Sequence, residues 1–205
     1  MYKETKFYLD ILKKMCESKK SSEEILHYIN SFEKKLKFEL FQKEIELFAK
    51  DKNFIFGKGN TDGKIMFIYE KPSEAFFTSG KDDVISGIIE SLCNNAAERI
   101  NPIFDKENIY ETFFIKNSEI KNDGFYLNAI KEEISIINPD IVICFGKTIS
   151  ELLIHPGYKL DDNTIYNDQP KYIGCENIYE INKDNALNVK TNIWNKLMLF
   201  SEKTD

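Results

Sequence analysis

From Lys64 onward, short uninterrupted apolar runs alternate with stretches of helical periodicity, and this alternation constrains the chain more than any other feature. The run Ile65-Met66-Phe67-Ile68-Tyr69 lies between Asp62-Gly63 and Pro72 and is apolar at odd and even positions alike. It therefore reads as a strand over residues 64–70 that is covered on both faces. Residues 108–116 and 141–145 read the same way, and residues 172–181 hold a fourth strand or a hairpin. Helices are predicted over residues 84–97, 125–137, 148–154 and 186–200, with Asn138-Pro139 ending the second. The order βαβαβαβα predicts a three-layer α/β/α fold, with a mostly parallel four-stranded central sheet and right-handed crossovers. Ligands of such sheets bind beyond the carboxyl ends of the strands, here the loops that begin at Glu70, Lys116, Gly146 and Asn182. Residues 161–170, rich in Asp and Asn, read as a flexible loop.

The beginning of the chain is different. Phe7, Leu9, Ile11, Leu12 and Met15 form one helical stripe, and Ile25, Leu26, Ile29, Phe32, Leu36, Leu40, Phe41, Ile45 and Phe48 form a longer one. Ser21 and Ser22 precede Glu23 and Glu24, an N-cap followed by first-turn acids, so the break between the two helices falls near Lys20. The expected organisation is a helical extension over residues 1–52 and an α/β/α domain over residues 53–205.

With 28 basic and 34 acidic side chains the net charge is -6, so a nucleic-acid partner must be met by a local patch. The first 64 residues carry the basic excess, through Lys13, Lys14, Lys19, Lys20, Lys34, Lys35 and Lys37. These lysines alternate with glutamates and read as a solvated helix face or as phosphate contacts. Hydrophobic residues at 42% and charged residues at 30% exclude a disordered or fibrous chain. No run of about 18 apolar residues occurs, and the N-terminus lacks a signal-peptide core, so a cytoplasmic protein with no membrane partner is expected. Cys16, Cys93, Cys144 and Cys175 are scattered with no C-x-x-C pair, which predicts reduced thiols, no metal site and no cofactor.

Five pieces of sequence stand in a telling order: Gly57-Lys58-Gly59; the strand closing on Glu70-Lys71-Pro72-Ser73; Ser79-Gly80; Tyr110-Glu111-Thr112 with Lys116; and the junction from Glu133 through Asn138-Pro139-Asp140 to Phe145-Gly146. Together they resemble the uracil-DNA glycosylase superfamily over about residues 53–200, particularly its iron-sulfur-containing family 4 branch. The resemblance implies a DNA-repair hydrolase that flips a base out of DNA and hydrolyses its N-glycosidic bond. It implies Glu70 as the acidic group beside the attacking water. It further implies Pro72, Phe76 or Phe77 and Phe113 as the base-binding positions, and Ser79, Gly80, Lys116 and Lys183 as contacts to the DNA backbone.

The sequence departs from the family where the chemistry lies. Phe113 stands where the family carries the Asn that reads the uracil edge, and a phenyl ring neither donates nor accepts. Asn182-Lys183-Asp184 stands where the family carries H-P-S, so the catalytic histidine is replaced, with Asn182 as the remaining donor to the leaving base. Tyr69 and Ser73 replace the glycines that flank Glu70, and the cluster-binding cysteines are missing. Each candidate also has a plain structural reading: Glu70 as a turn cap, Phe76, Phe77 and Phe113 as core. His27 reads as a helix-surface residue, and His155-Pro156-Gly157 follows the third strand's helix, the wrong place for the family histidine.

Three functions stay open. The first is a protein with weak or lost excision that binds DNA, or a repair or replication protein, through the old active-site face, with the N-terminal helices open to a protein partner as well. The second is an active divergent glycosylase using Glu70 and Asn182. The third is a nucleotide-binding enzyme with Gly57 and Gly59 near a phosphate.

Overall fold

A computed structural model describes residues 13, 21–49, 54–73, 76, 83–117, 123–166, 169–181 and 184–201. Its sheet contains β1 (Lys58–Gly59), β2 (Ile65–Tyr69), β3 (Ile109–Phe113), β4 (Ile141–Phe145) and β5 (Lys171–Cys175) in the order β1-β3-β2-β4-β5. The pairs β2/β3, β2/β4 and β4/β5 are parallel, and β1 is antiparallel to β3. Among the described residues there are five α-helices: α1 (Ser22–Ala49), α2 (Asp83–Arg99), α3 (Asp123–Ile137), α4 (Lys147–Leu153) and α5 (Ala186–Leu197).

The sheet thus has five strands, not the four expected. The added strand is two residues of Gly57-Lys58-Gly59, too short and too polar to carry an alternating pattern. Its glycines permit a close approach to β3. A Cβ on Gly57 would lie 2.1 Å from the Tyr110 hydroxyl, and one on Gly59 would lie 2.4 Å from the Ile109 carbonyl oxygen, at a φ of +104°. The Tyr110 ring accounts for Gly57, and the β3 backbone with the positive φ for Gly59.

Strand alternation divides the core. Ile65, Phe67, Tyr69, Ile109, Phe113, Ile141, Ile143 and Phe145 face α2 and α5, packing on Ile89, Cys93, Ile193 and Leu197. Met66, Ile68, Tyr110, Val142 and Cys144 face α3 and α4, packing on Tyr126, Ile130, Ile137 and Ile149. All five residues of β2 and all five of β4 are buried, which is why these runs carry no polar interruption.

Helix α1 is closed at its start by a reciprocal cap, in which the Ser21 amide donates to Glu24 Oε2 at 2.8 Å and the Glu24 amide donates to Ser21 Oγ at 3.3 Å. Its Phe41 and Ile45 are buried against Ala129 and Ile136 of α3. Lys34 ties the helix further by donating to the Ile137 carbonyl at 2.8 Å and pairing with Asp62 at 3.3 Å. Residues 22–49 therefore pack directly on the α/β layers, and Lys34 is an anchor rather than a phosphate contact.

Two other expectations are refined. The expected fourth strand, β5, ends at Cys175 and leads to a 3-10 turn, Ile178–Glu180, in which the Tyr179 amide donates to Asn177 Oδ1 at 3.1 Å. Within residues 161–170, Tyr166 bridges to Tyr172 and its hydroxyl donates to Asp162 Oδ2 at 3.1 Å. No helix among the described residues is long and apolar enough to cross a membrane.

Candidate functional site

Glu70 is the first residue beyond β2 and is fixed at three points. Its amide donates to the Phe145 carbonyl at 3.1 Å, its carbonyl accepts from the Ile115 amide at 3.0 Å, and its Oε1 accepts from Thr148 Oγ1 at 2.6 Å. The carboxylate lies over the turn from β4 into α4. A Cβ on Gly146 would come within 2.2 Å of Glu70 Oε2, and Gly146 holds a φ of +134°, so glycine is required there twice over. The side chain is half-buried, and the second oxygen, Oε2, makes no hydrogen bond among the described residues.

Beside Glu70 the carboxyl ends of the strands are filled by rings. Tyr69 stacks on Phe145 with centroids 5.2 Å apart and planes 22° from parallel, and it lies 5.5 Å from Phe113 and 5.6 Å from Tyr179. Phe113 meets Phe76 edge-on at 5.0 Å and Tyr179 at 5.9 Å. Only 1% of Tyr69 and 4% of Phe113 is exposed, so the end of β3 on this face is packed hydrocarbon with no donor or acceptor from Phe113. The Tyr69 hydroxyl is buried with no hydrogen-bond partner among the described residues. Burial, reinforced by the nearby Glu111 carboxylate, pushes its ionisation well above the ordinary phenol range.

Of the expected base-binding residues, Phe76 and Phe113 come together, although their contact is with each other, and Pro72 is buried. The Lys58 ammonium sits 5.8 Å from the centroid of the Phe76 ring. Phe77, Ser79, Gly80, Asn182 and Lys183 lie outside the described residues.

Lys116 does not reach a phosphate. It is fully buried and paired to Glu133 Oε2 at 2.6 Å, and it donates to Thr112 Oγ1. Thr112 Oγ1 lies 3.0 and 3.2 Å from the two Glu133 oxygens, and the Tyr110 hydroxyl donates to Oε1 at 2.9 Å. Burial lowers the Lys116 pKa, with Glu133 opposing, and raises that of Tyr110, with Glu133 reinforcing. Tyr110, Thr112 and Lys116 thus form one buried network that locks β3 to α3 on the face opposite Phe113. A cation with its donors engaged and no exposed surface has none to offer DNA.

Sequence reasoning missed two side chains here, Thr148, the partner of Glu70, and Glu176, the first residue beyond β5, while Tyr69, named only as a replacement for a glycine beside Glu70, closes the crevice with its ring. Glu176 Oε1 accepts from Asn192 at 2.7 Å, while its Oε2 is buried with no partner. Its signal was positional, since it follows a strand end as Glu70 does. His155 sits at 2.7 Å from the Tyr166 hydroxyl and 3.0 Å from the Pro156 carbonyl, contacts internal to the segment after α4. His27 is exposed on α1.

Cys93, Cys144 and Cys175 are free, buried thiols, and Cys16 lies outside the described residues. Burial pushes Cys93 and Cys175 up to about 12 and Cys144 upward likewise, so none is a thiolate near neutrality.

Chemically, the strand ends present one anchored carboxylate, with an acceptor oxygen unused among the described residues, against a wall of aromatic rings. No family model matches the chain, and no curated protein matches it.

Proposed function

We propose that this chain is a uracil-DNA glycosylase-like α/β/α protein in which base excision is lost and nucleic-acid binding at the strand-end face is retained. The observation that carries this reading is Phe113, buried among Tyr69, Phe76 and Tyr179 at the position where the family's base-reading Asn would stand. An edge-reading pocket needs a donor and an acceptor in fixed places, and a phenyl ring supplies neither. Binding is supported by Lys71, exposed beyond β2, and by Lys58 on β1 and Lys147 at the start of α4, whose long pairs with Glu111 and Glu151, 3.8 Å each, leave their side chains 58% and 69% exposed. Lysines so placed contact phosphates without reading sequence.

The test is a gel assay on single- and double-stranded oligonucleotides carrying uracil, hypoxanthine or xanthine, with parallel native gels. The expected result is no base release and a shift that weakens steeply with added salt. Release at rates usual for repair enzymes overturns the loss of excision, and absence of any shift overturns the binding.

A second reading, an active divergent glycosylase, is favoured by one observation: Glu70 is held by Thr148 through one oxygen, and the other, without a hydrogen bond among the described residues, can accept a proton from water. If bases are released, Glu70→Gln separates the two outcomes, because that reading requires activity to fall by about 100-fold or more.

A further inference from the structure

Away from the strand ends, α2 and α5 enclose a cleft of about 390 Å³ whose floor is built by Ile88, Leu92, Ile178 and Trp194 and whose charged lining is Arg99 and Lys190. The spacing explains its shape. Ile88, Leu92, Asn95 and Arg99 follow one face of α2, and Lys190, Thr191 and Trp194 follow one face of α5. Leu187, 78% exposed, continues the α5 face beyond Lys190.

Three observations point to what the cleft accepts. Among the described residues its lining includes two cations and no carboxylate, although the whole chain carries -6. Neither Arg99 nor Lys190 has an ion-pair partner among the described residues, whereas Lys58, Lys64, Lys106 and Lys147 are each paired with a carboxylate. The floor is apolar and includes the only tryptophan of the chain, half-buried. A cleft of this size suits a small ligand that buries a hydrocarbon or aromatic body and turns one anionic end outward.

We propose that the α2/α5 cleft binds a small amphipathic organic anion, its apolar body on Leu92, Ile178 and Trp194 and its anionic group between Arg99 and Lys190. An anionic head complements the unpaired cations, which a neutral ligand would leave unused. The site borders the strand-end wall through Ile178, in the same turn as Tyr179, but its cations lie on α2 and α5 and it does not rest on that wall's function.

Trp194 makes the test direct, because all tryptophan emission reports on this cleft. Decanoate is titrated into the protein while indole emission is followed, with decanol as the uncharged control. The expected result is saturable quenching by decanoate that weakens by about three- to tenfold in the Arg99→Gln/Lys190→Gln double variant, the range of two exposed charge contacts. Decanol binding should be the same in both proteins. Quenching that never saturates, or a decanoate affinity unchanged in the double variant, overturns the proposal. So does a concentration-dependent dimer that persists in saturating decanoate, which would assign the cleft to a second copy of the chain.

Discussion

The two faces of β3 use the same strand for opposite purposes. Toward α3, Tyr110 and Thr112 join Lys116 around Glu133 in a buried polar cluster whose charges and hydroxyls are matched at 2.6 to 3.2 Å. Toward α2, Phe113 joins Tyr69, Phe76 and Tyr179 in a wall of rings that contains an unpartnered hydroxyl. The polar face keeps the residues that resemble the glycosylase motif, and the aromatic face is where the resemblance breaks. Motif residues are therefore not all site residues. In Tyr110-x-Thr112 with Lys116, the period of two sends the recognisable side chains into a structural ion pair, while Phe113 points at the candidate site.

The largest effect should come from breaking the polar face. Glu133→Ala leaves the Lys116 ammonium buried without a counter-ion, and a loss of about 3 to 5 kcal/mol is expected in urea unfolding. Lys116→Met/Glu133→Leu, which removes both charges, should recover most of that loss. A double variant as unstable as the single one would refute the role given to the pair. On the aromatic face, Phe113→Asn should cost about 3 kcal/mol, because it opens a void and buries an amide among rings. It should bring no uracil release, since Asn182 still stands where the resemblance requires histidine. Excision regained by this one change would show that Phe113 alone closes the site.

The hydroxyls sharpen the comparison because one chemical change should have opposite signs on the two faces. Tyr110→Phe removes a donor to a buried carboxylate and should cost about 1.5 to 3 kcal/mol. Tyr69→Phe removes a buried hydroxyl that bonds to nothing and should be neutral or stabilise by about 1 kcal/mol. Thermal unfolding of both variants reads the two signs in one experiment, and equal destabilisation would refute the asymmetry.

How much of this was legible in the sequence follows from the range of the forces involved. Strands β2 and β4 were readable because each is buried on both faces and so carries a continuous apolar run. The cap at Ser21 was readable because Ser and Glu three residues apart satisfy each other locally. Strand β1 was not, since what makes Lys58–Gly59 a strand is the antiparallel ladder offered by β3, about fifty residues away. In the candidate site, Glu70 was visible as a carboxylate closing a strand, and Phe113 as a ring in place of an amide. Thr148 and Tyr179 were invisible, because their roles come from β2 and β4 lying side by side and from the turn after β5 folding back over the strand ends. Lys116 was misread for the same reason, since its partner Glu133 arrives on another helix.

Alkaline titration gives the smallest effect per group and probes both faces at once. Cys93 and Cys175, with Tyr69, lie toward α2 and α5, while Cys144 and Tyr110 lie toward α3 and α4. Burial raises the pKa of each, taking Cys93 and Cys175 from 9.0 to about 12. Below pH 9 both the folded and the unfolded chain hold these protons, and the stability they contribute is fully present. As pH rises past 9.0 the unfolded chain releases thiol protons that the folded chain keeps, so the unfolded state binds fewer protons and stability must fall. The slope approaches about 1.4 kcal/mol per pH unit for each thiol once the unfolded form is fully ionised. Urea midpoints should therefore decline from pH 9 to pH 10.5, and Cys93→Ala and Cys144→Ala should each remove one thiol's share of that slope, one from either face. A flat profile would mean that these groups are reached by water in the folded chain. A decline unaffected by both substitutions would assign it to the tyrosines, and Tyr69→Phe and Tyr110→Phe would then show which face releases its proton first.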